Sequence, residues 1–442
     1  MDFTADTVLA LSPDDASAKA ARGLTSPAKW PTLGADQRAV WGECQGSGSK
    51  PYQTQVDLSG PTFKCSCPSR KFPCKHGLAL LLVRAAQPQL FAADAMAPPW
   101  VNEWMSARQD RAERKEQRAA ERAAAPPSSP ETVERRESQR WKKIEEGLDQ
   151  LQLWMSDQVQ RGLANVGTEA RASFHTMAAR LVDQQAPSLA QRLRDAAQEI
   201  GATPDWPARV LRCFGQLQLA IEATRRRTAL DPAALADLRW ALGWTQEKEL
   251  VLAQGERLRD DWLVLAVIVE QREAKLQERR VWLQGLASGR RALLADFAFS
   301  GSGFDAAWIA GHVHKAELAF YPGAVAMRAL VAAQEDVVPG PWPSGEATAE
   351  WQGMAQRWSC NPWQRLQPLL VPHAALAGGQ DDWRVDTGTG QLPLRIGAES
   401  AWLLAAQTGG HVVPVFGEWD GMRLTPLTAW TRDGLWTHAS FA

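Results

Sequence analysis

The rhythm of apolar and polar positions changes three times along the chain. In the first hundred residues it is short and mixed. Ser12-Pro13-Asp14-Asp15 opens a helix, with Ser12 as N-cap and Pro13 in the first turn. Gly46-Ser47-Gly48 reads as a hairpin turn. Tyr52, Thr54, Val56 and Leu58 then alternate as a half-buried strand does, and Phe63–Cys67 reads as its partner. From Gly77 to Arg84 the period lengthens to that of a helix, with Leu78, Leu81 and Leu82 on one face.

Residues 102–125 alternate charges with alanine and carry few large apolar side chains, the pattern of a solvated helix or a tether. Pro126-Pro127-Ser128-Ser129-Pro130 breaks it and marks a boundary. Beyond lies a helical region. Trp141, Ile144, Leu148, Leu151 and Met155 recur at steps of three and four, the stripe a helix turns toward a bundle core. Further helices are predicted at Ala170–Asp183, Ser188–Ile200, Pro207–Arg226 and Pro232–Leu242, with stops at Pro187, Gly201, Pro204 and Gly243.

From Asp261 the pattern becomes that of strands. Leu263–Val269 is continuously apolar, as a central strand is, and Val281–Leu286, Ser288–Arg291 and Ala292–Phe299 read as strand, turn, strand. Glu317–Tyr321, Trp383–Asp386, Leu392–Ile396, Ala401–Gln407, Val412–Phe416 and Leu424–Leu427 repeat the strand pattern. Gly409-Gly410, Asp420-Gly421 and Asp433-Gly434 supply hairpin chemistry. The expected fold is α+β and multidomain. A small mixed module covers 1–97 and a charged helix and linker 98–130. A helical bundle covers 131–256, and a Trp-rich, mainly antiparallel β domain, barrel or sandwich, covers 257–442.

Charge narrows the function classes. With 49 Lys and Arg against 50 Asp and Glu, the net charge is −1, so a nucleic-acid surface has to be local. The first ten residues carry two aspartates and no basic residue, unlike a secretory signal. The apolar run Trp262–Val269 is far shorter than the ~20 residues that span a bilayer. A cytoplasmic protein with no membrane partner is expected.

Six cysteines in 442 residues do not make a disulfide scaffold. Three of them stand together in Cys65-Ser66-Cys67 and Cys74-Lys75-His76. Cys-x-Cys puts two thiolates on one side of an extended segment, and Cys74 with His76 enters the next helix. Three sulfurs and an imidazole nitrogen suit tetrahedral Zn²⁺, and Pro68 and Pro73 stiffen the loop between them. Four protein ligands leave no position for water or substrate, so one structural ion is expected and no catalysis. In so small a module zinc is expected to supply much of the stability.

Cys-x-Cys followed by Cys-x-His resembles the signature of the SWIM zinc finger. Trp41-Gly42-Glu43-Cys44, Gly46-Ser47-Gly48, Pro51-Tyr52 and Cys65–Lys71 are similar to the bacterial form of that domain. Ala178–Pro187 and Ala319–Ala324 resemble the middle and C-terminal regions of such proteins. The resemblance implies Zn²⁺ at Cys65, Cys67, Cys74 and His76, and binding to DNA or to proteins. It also implies neighbourhood with MoxR-type AAA ATPases and von Willebrand-type domain proteins. Two readings follow. In one the protein is a non-enzymatic adaptor. In the other Lys64, Arg70, Lys71 and Lys75, within a stretch 61–90 free of Asp and Glu, touch nucleic-acid phosphates. The same cations would equally stabilise the net negative charge of three thiolates and Zn²⁺, and the Leu/Ala helix after His76 offers no base-reading pattern.

Other candidates are weaker. Cys44 reads as a buried structural thiol. His312 and His314 share one strand face, but no third ligand stands near, so they read as surface or loop histidines. His175 reads as a histidine satisfied within the bundle. No fingerprint of a phosphate loop, dinucleotide site, nucleophile elbow or zinc protease is present.

Overall fold

The computed structural model describes the chain apart from residues 1–4, 13–14, 47–49, 59–61, 70–72, 92–95, 125–128, 164–169, 274–275, 300–303, 305, 307, 380–381 and 439–442. Helices α1 (Ala5–Ala10) and α2 (Asp15–Arg22) precede an antiparallel sheet of β1 (Thr32–Ala35), β2 (Ala39–Cys44), β3 (Tyr52–Asp57) and β4 (Thr62–Cys65) in sequential order. Helix α3 (Lys75–Ala86) lies between that sheet and α1 and α2. Its buried residues go all the way round, Leu80 and Val83 as well as Leu78, Leu81 and Leu82, so it is a central helix and not a one-faced one. Around it Val8, Trp30, Val40, Val56 and Phe63 close an apolar core. The module therefore has a core of its own, more than its size suggested.

Residues 102–124 are helical throughout and no tether. They belong to α4 (Pro99–Ala124), whose Val101 packs on Ala39 and Trp41 and whose Arg108 pairs with Asp57 at 3.1 Å. The expected Pro/Ser break lies mostly outside the described residues. Ser129, its last serine, caps α5 (Pro130–Gln160) by accepting from the Thr132 N–H at 3.3 Å.

The bundle consists of α5, α6 (Ala170–Asp183), α7 (Pro187–Glu199), α8 (Trp206–Arg225) and α9 (Pro232–Leu242). The predicted stripe Trp141, Ile144, Leu148, Leu151 and Met155 is buried in its core with Phe174, Leu189 and Leu217. The boundaries have local causes. Asp231 accepts from the N–H groups of Ala233 and Ala234 at 2.9 Å each, ahead of Pro232, and Gly243 ends α9 at φ 99°. Pro187 opens α7 as well as closing what precedes it. His175 is exposed on α6, not satisfied inside the bundle, because it falls one position after the buried Phe174.

After the short α10 (Lys248–Gln254), five strands close a barrel: β5 (Glu256–Glu273), β6 (Leu276–Gly285), β7 (Arg291–Phe299), β8 (His312–Phe320) and β9 (Arg328–Pro339). The order around it is β5-β6-β7-β9-β8, with β7 and β9 parallel and the other pairs antiparallel. This is the strand order of an OB-type barrel. Trp262, Leu283, Leu318 and Phe320 fill its interior. A second sheet follows, ordered β12-β11-β10-β13-β14-β15. Its strands are β10 (Gln367–Gly379), β11 (Asp382–Asp386), β12 (Gln391–Pro393), β13 (Val413–Trp419), β14 (Leu424–Thr431) and β15 (Gly434–Thr437). Leu370, Phe416, Leu427 and Trp430 face the outside of the barrel at Trp282, while Leu369, Val371 and Val415 face helices α11 (Ala347–Cys360) and α12 (Ala398–Thr408).

Two expectations are corrected in this region. Ala401–Gln407 is helix, not strand. Ala401 and Leu404 are buried while Trp402 and Leu403 are exposed, a period of three, and Gly409 at φ 57° ends α12 and makes no hairpin. His314 is neither surface nor loop: it is fully buried on β8, stacked on Trp308 at 4.3 Å and bonded to Gln334 at 2.9 Å. Among the described residues no helix is long and apolar enough to cross a membrane.

Candidate metal centre

The metal site is built where the last strand of the first sheet hands over to its helix. Cys65 ends β4 opposite Thr54. Next, Ser66 ties the knuckle to β3 twice: its N–H donates to the Gln53 carbonyl at 2.9 Å, and its Oγ accepts from the Gln53 N–H at 3.0 Å. That clamp leaves Cys67 turned back toward Cys65. Cys74 is the N-cap of α3, and its carbonyl accepts from the Leu78 N–H at 3.1 Å. His76 follows in the first turn, buried, with its ring 4.8 Å from that of Tyr52.

The four ligand atoms of Cys65, Cys67, Cys74 and His76 lie within 4.8 Å of one another. Tetrahedral Zn²⁺ with Zn–S bonds of ~2.3 Å sets its ligand atoms roughly 3.8 Å apart, so the cluster fits one ion after small adjustments. Cys65 Sγ stands 3.8 Å from His76 Nδ1, which makes Nδ1 the nitrogen that faces the sulfurs. Among the described residues no other group of three or more His, Cys, Asp and Glu side chains has this proximity. Cys44, as expected, is a buried thiol on β2 outside the quartet, and burial pushes its pKa up to about 11.

The three sulfurs share protons unequally. Cys67 accepts hydrogen bonds from Cys65 and Cys74, which holds it well below the usual thiol range. Donation to Cys67 raises Cys65 to about 11. Cys74 is also pushed up, by the bonds to Cys65 and Cys67 and then by burial, although the Gly77 N–H at the start of α3 pulls the other way. A dication at their centre favours the ionised form of all three sulfurs.

The model of the SWIM zinc finger family matches residues 52–85. The chain carries a SWIM zinc finger. A second family, the SWIM-associated four-helix bundle domain, matches residues 139–242, the stretch from α5 to α9. No curated protein and no solved structure matches the chain. The SWIM finger, with its Cys₃His quartet, holds one structural Zn²⁺.

Of the four basic residues picked out around the SWIM finger, two fall within the described residues. Lys64 is exposed on β4, on the face opposite Phe63 and Cys65. That face is the one α4 covers, since Gln55, opposite Lys64, donates to the Trp100 carbonyl at 3.5 Å. Lys75 is exposed at the first position of α3, on the other side of the sheet. Arg70 and Lys71 lie outside the described residues. A glycine that spacing alone could not single out proved part of the site. A Cβ on Gly77 would come 2.7 Å from Phe63 Cδ1, so α3 carries Cys74 and His76 close to β4 only because residue 77 has no side chain.

Proposed function

We propose that the protein is a non-enzymatic adaptor in which the zinc-held knuckle shapes a docking groove for a protein partner. The observation that carries this reading is a groove of about 800 Å³ beside the metal site. Ala20, Leu24 and Ala28 give it an apolar wall, Tyr52 and His76 an aromatic one, and Lys29 and Lys75 stand on its lining. An apolar segment flanked by acidic residues suits such a lining. Four protein ligands on the ion leave no site for a reactant, which supports a binding role over catalysis. The face of β6 and β7 on which OB-type barrels take ligands is covered here by the second sheet, where Trp282 and Leu293 pack near Phe416 and Leu427.

The partner class implied by the resemblance is a MoxR-type AAA ATPase or a von Willebrand-type domain protein, in the cytoplasm. The test is co-purification with such a partner encoded beside the gene. Leu24→Glu should abolish it, and joint Ala replacement of Lys64, Arg70, Lys71 and Lys75 should not. Nucleic-acid binding is the second reading, favoured by the absence of acidic residues over 61–90. Placement of Lys64 and Lys75 on opposite sides of the sheet weighs against a single phosphate-facing patch. Salt-dependent retention on DNA that disappears in the fourfold Ala variant would reverse the preference.

A further inference from the structure

A cleft at the seam between the bundle and the C-terminal β region carries a chemistry the finger does not explain. Arg192, Asp195 and Glu199 share one face of α7, at steps of three and four. Arg209, Arg212 and Gln216 do the same on α8. The loops bearing Arg365, Arg395 and Asp420 close the cleft, whose volume is about 130 Å³. At roughly 10–15 Å³ of such space for one water, that leaves room for one tetrahedral oxyanion.

The charges do not cancel. Five guanidiniums line the cleft against three carboxylates, which leaves two positive charges in excess. Arg423 and Asp205, paired at 3.5 Å, add one charge of each sign and leave that excess unchanged; Asp205 also accepts from Arg209 Nε at 3.2 Å. The carboxylates are already engaged. Asp420 holds Arg395 at 3.0 Å and Arg209 at 3.5 Å, Glu199 reaches the same two arginines at 3.5 and 3.8 Å, and Asp195 pairs with Arg365.

Arg192 and Arg212 have no carboxylate partner among the described residues. Arg192 donates to Gln216 Oε1 at 3.1 Å and to the Trp363 carbonyl. Arg212 lies over the Trp358 ring at 5.7 Å. It lies against the turn at Gly421, at φ +91°, where a Cβ would fall 2.1 Å from a guanidinium nitrogen. Arg209 is 9% exposed, and its buried Nη2 has no hydrogen-bond partner. A buried donor left over in this way marks a place for an acceptor. Burial, and then the charge of Arg365, hold the Arg192 pKa down at about 10 against the weaker opposite pull of Cys213 and Asp195.

We infer that this cleft binds a small phosphate-bearing anion, gripped by Arg209 and Arg212 with Arg192 alongside, and that the anion ties the bundle to the turn at Gly421. Guanidinium forks match the oxygens of a phosphate in pairs, which a lone carboxylate oxygen does not offer. Inorganic phosphate and the phosphate of a small monoester share this chemistry.

Calorimetric titration of the zinc-loaded full chain tests the inference, with inorganic phosphate in one arm and a nucleoside monophosphate in the other. Saturable binding of one phosphate per chain is expected. Arg212→Gln should weaken it by about tenfold or more, and Arg212→Lys, which keeps the charge and loses the fork, by severalfold. Arg384→Gln, at an exposed residue paired with Asp382, should leave it unchanged. Tighter binding of the monoester identifies a phosphorylated metabolite as the source, and equal binding identifies free phosphate. A phosphate-dependent rise in the melting temperature of the unsubstituted chain gives a readout that needs no variant. Absence of saturable binding in both arms, or an affinity that Arg212→Gln leaves unchanged, would overturn the inference.

Discussion

Gly77→Ala sets two effects of opposite sign against each other. Alanine in place of glycine inside a helix gains up to about 1 kcal/mol of helix propensity. Against that, the new methyl would sit 2.7 Å from Phe63 Cδ1, where carbon atoms in ordinary contact stay ~3.5–4.0 Å apart. Phe63 is only 5% exposed and is packed in the core of the module, so its ring cannot retreat into solvent. Forcing a methyl into a filled core costs about 1–3 kcal/mol, so the clash wins and the net loss is about 1 kcal/mol. For a module of this size that is a fall in melting temperature of about 4–8 °C. The internal control is Gly215→Ala on α8, where a Cβ meets nothing within 4 Å and only the propensity gain remains. Thermal melts of the zinc-loaded chain, with bound zinc measured alongside, read both variants. Phe63→Leu should recover much of the loss when combined with Gly77→Ala, a coupling that independent effects cannot produce. A Gly77→Ala protein that melts at or above the parent temperature would refute the close approach of α3 to β4.

Three further outcomes are expected. Zinc loading at pH 7 should release protons, because the bonds among the sulfurs and burial raise Cys65 and Cys74 in the metal-free protein; proton uptake by a weak buffer during titration measures this, and loading without release would contradict it. Asp237, whose Oδ2 accepts from the Ala324 N–H at 2.8 Å, is raised by burial to about 6. Its folded pKa lies above its unfolded value, so its contribution is complete below about pH 4 and fades as pH rises through 6; the urea midpoint should gain on going from pH 7 to 5, and Asp237→Asn should flatten that gain. Glu418 is 3% exposed and accepts from Trp282 Nε1 at 2.8 Å and twice from Arg280 at 3.2 Å, across the seam between second sheet and barrel. Arg280 keeps Glu270 at 2.9 Å when Glu418 is removed, so Glu418→Ala, which leaves Trp282 Nε1 without its acceptor, should cost about 1–3 kcal/mol by denaturant unfolding, and Glu418→Gln, which keeps an acceptor there, should cost less.

What could be read from the chain depended on whether the signal was local. The quartet was legible because all four ligands fall within twelve residues and their spacing matches a coordination geometry. The bundle stripe on α5 and the bounds of α6 and α9 were legible because periodicity and caps act over one or two turns. The barrel was only half legible. Its strands β5 to β8 announce themselves, but closure depends on β9 lying parallel to β7, a pairing set by the whole topology. Strand β10 was missed; it carries prolines at 368 and 372, a residue type that interior strands usually lack. Helix α12 was mistaken because a short apolar run fits either period. The arginine cleft was invisible in one dimension. Its residues are drawn from two helices and from loops more than 150 residues farther along, and each arginine alone reads as a solvated surface residue.

A closed Cys₃His zinc site leaves no position for a reactant. Zinc K-edge X-ray absorption on the purified chain reads that coordination shell. One zinc per chain is expected, with three sulfur scatterers at ~2.3 Å, one nitrogen at ~2.0–2.1 Å and no oxygen. Zinc well below one per chain, or a shell in which water oxygen replaces one of the four, would contradict it.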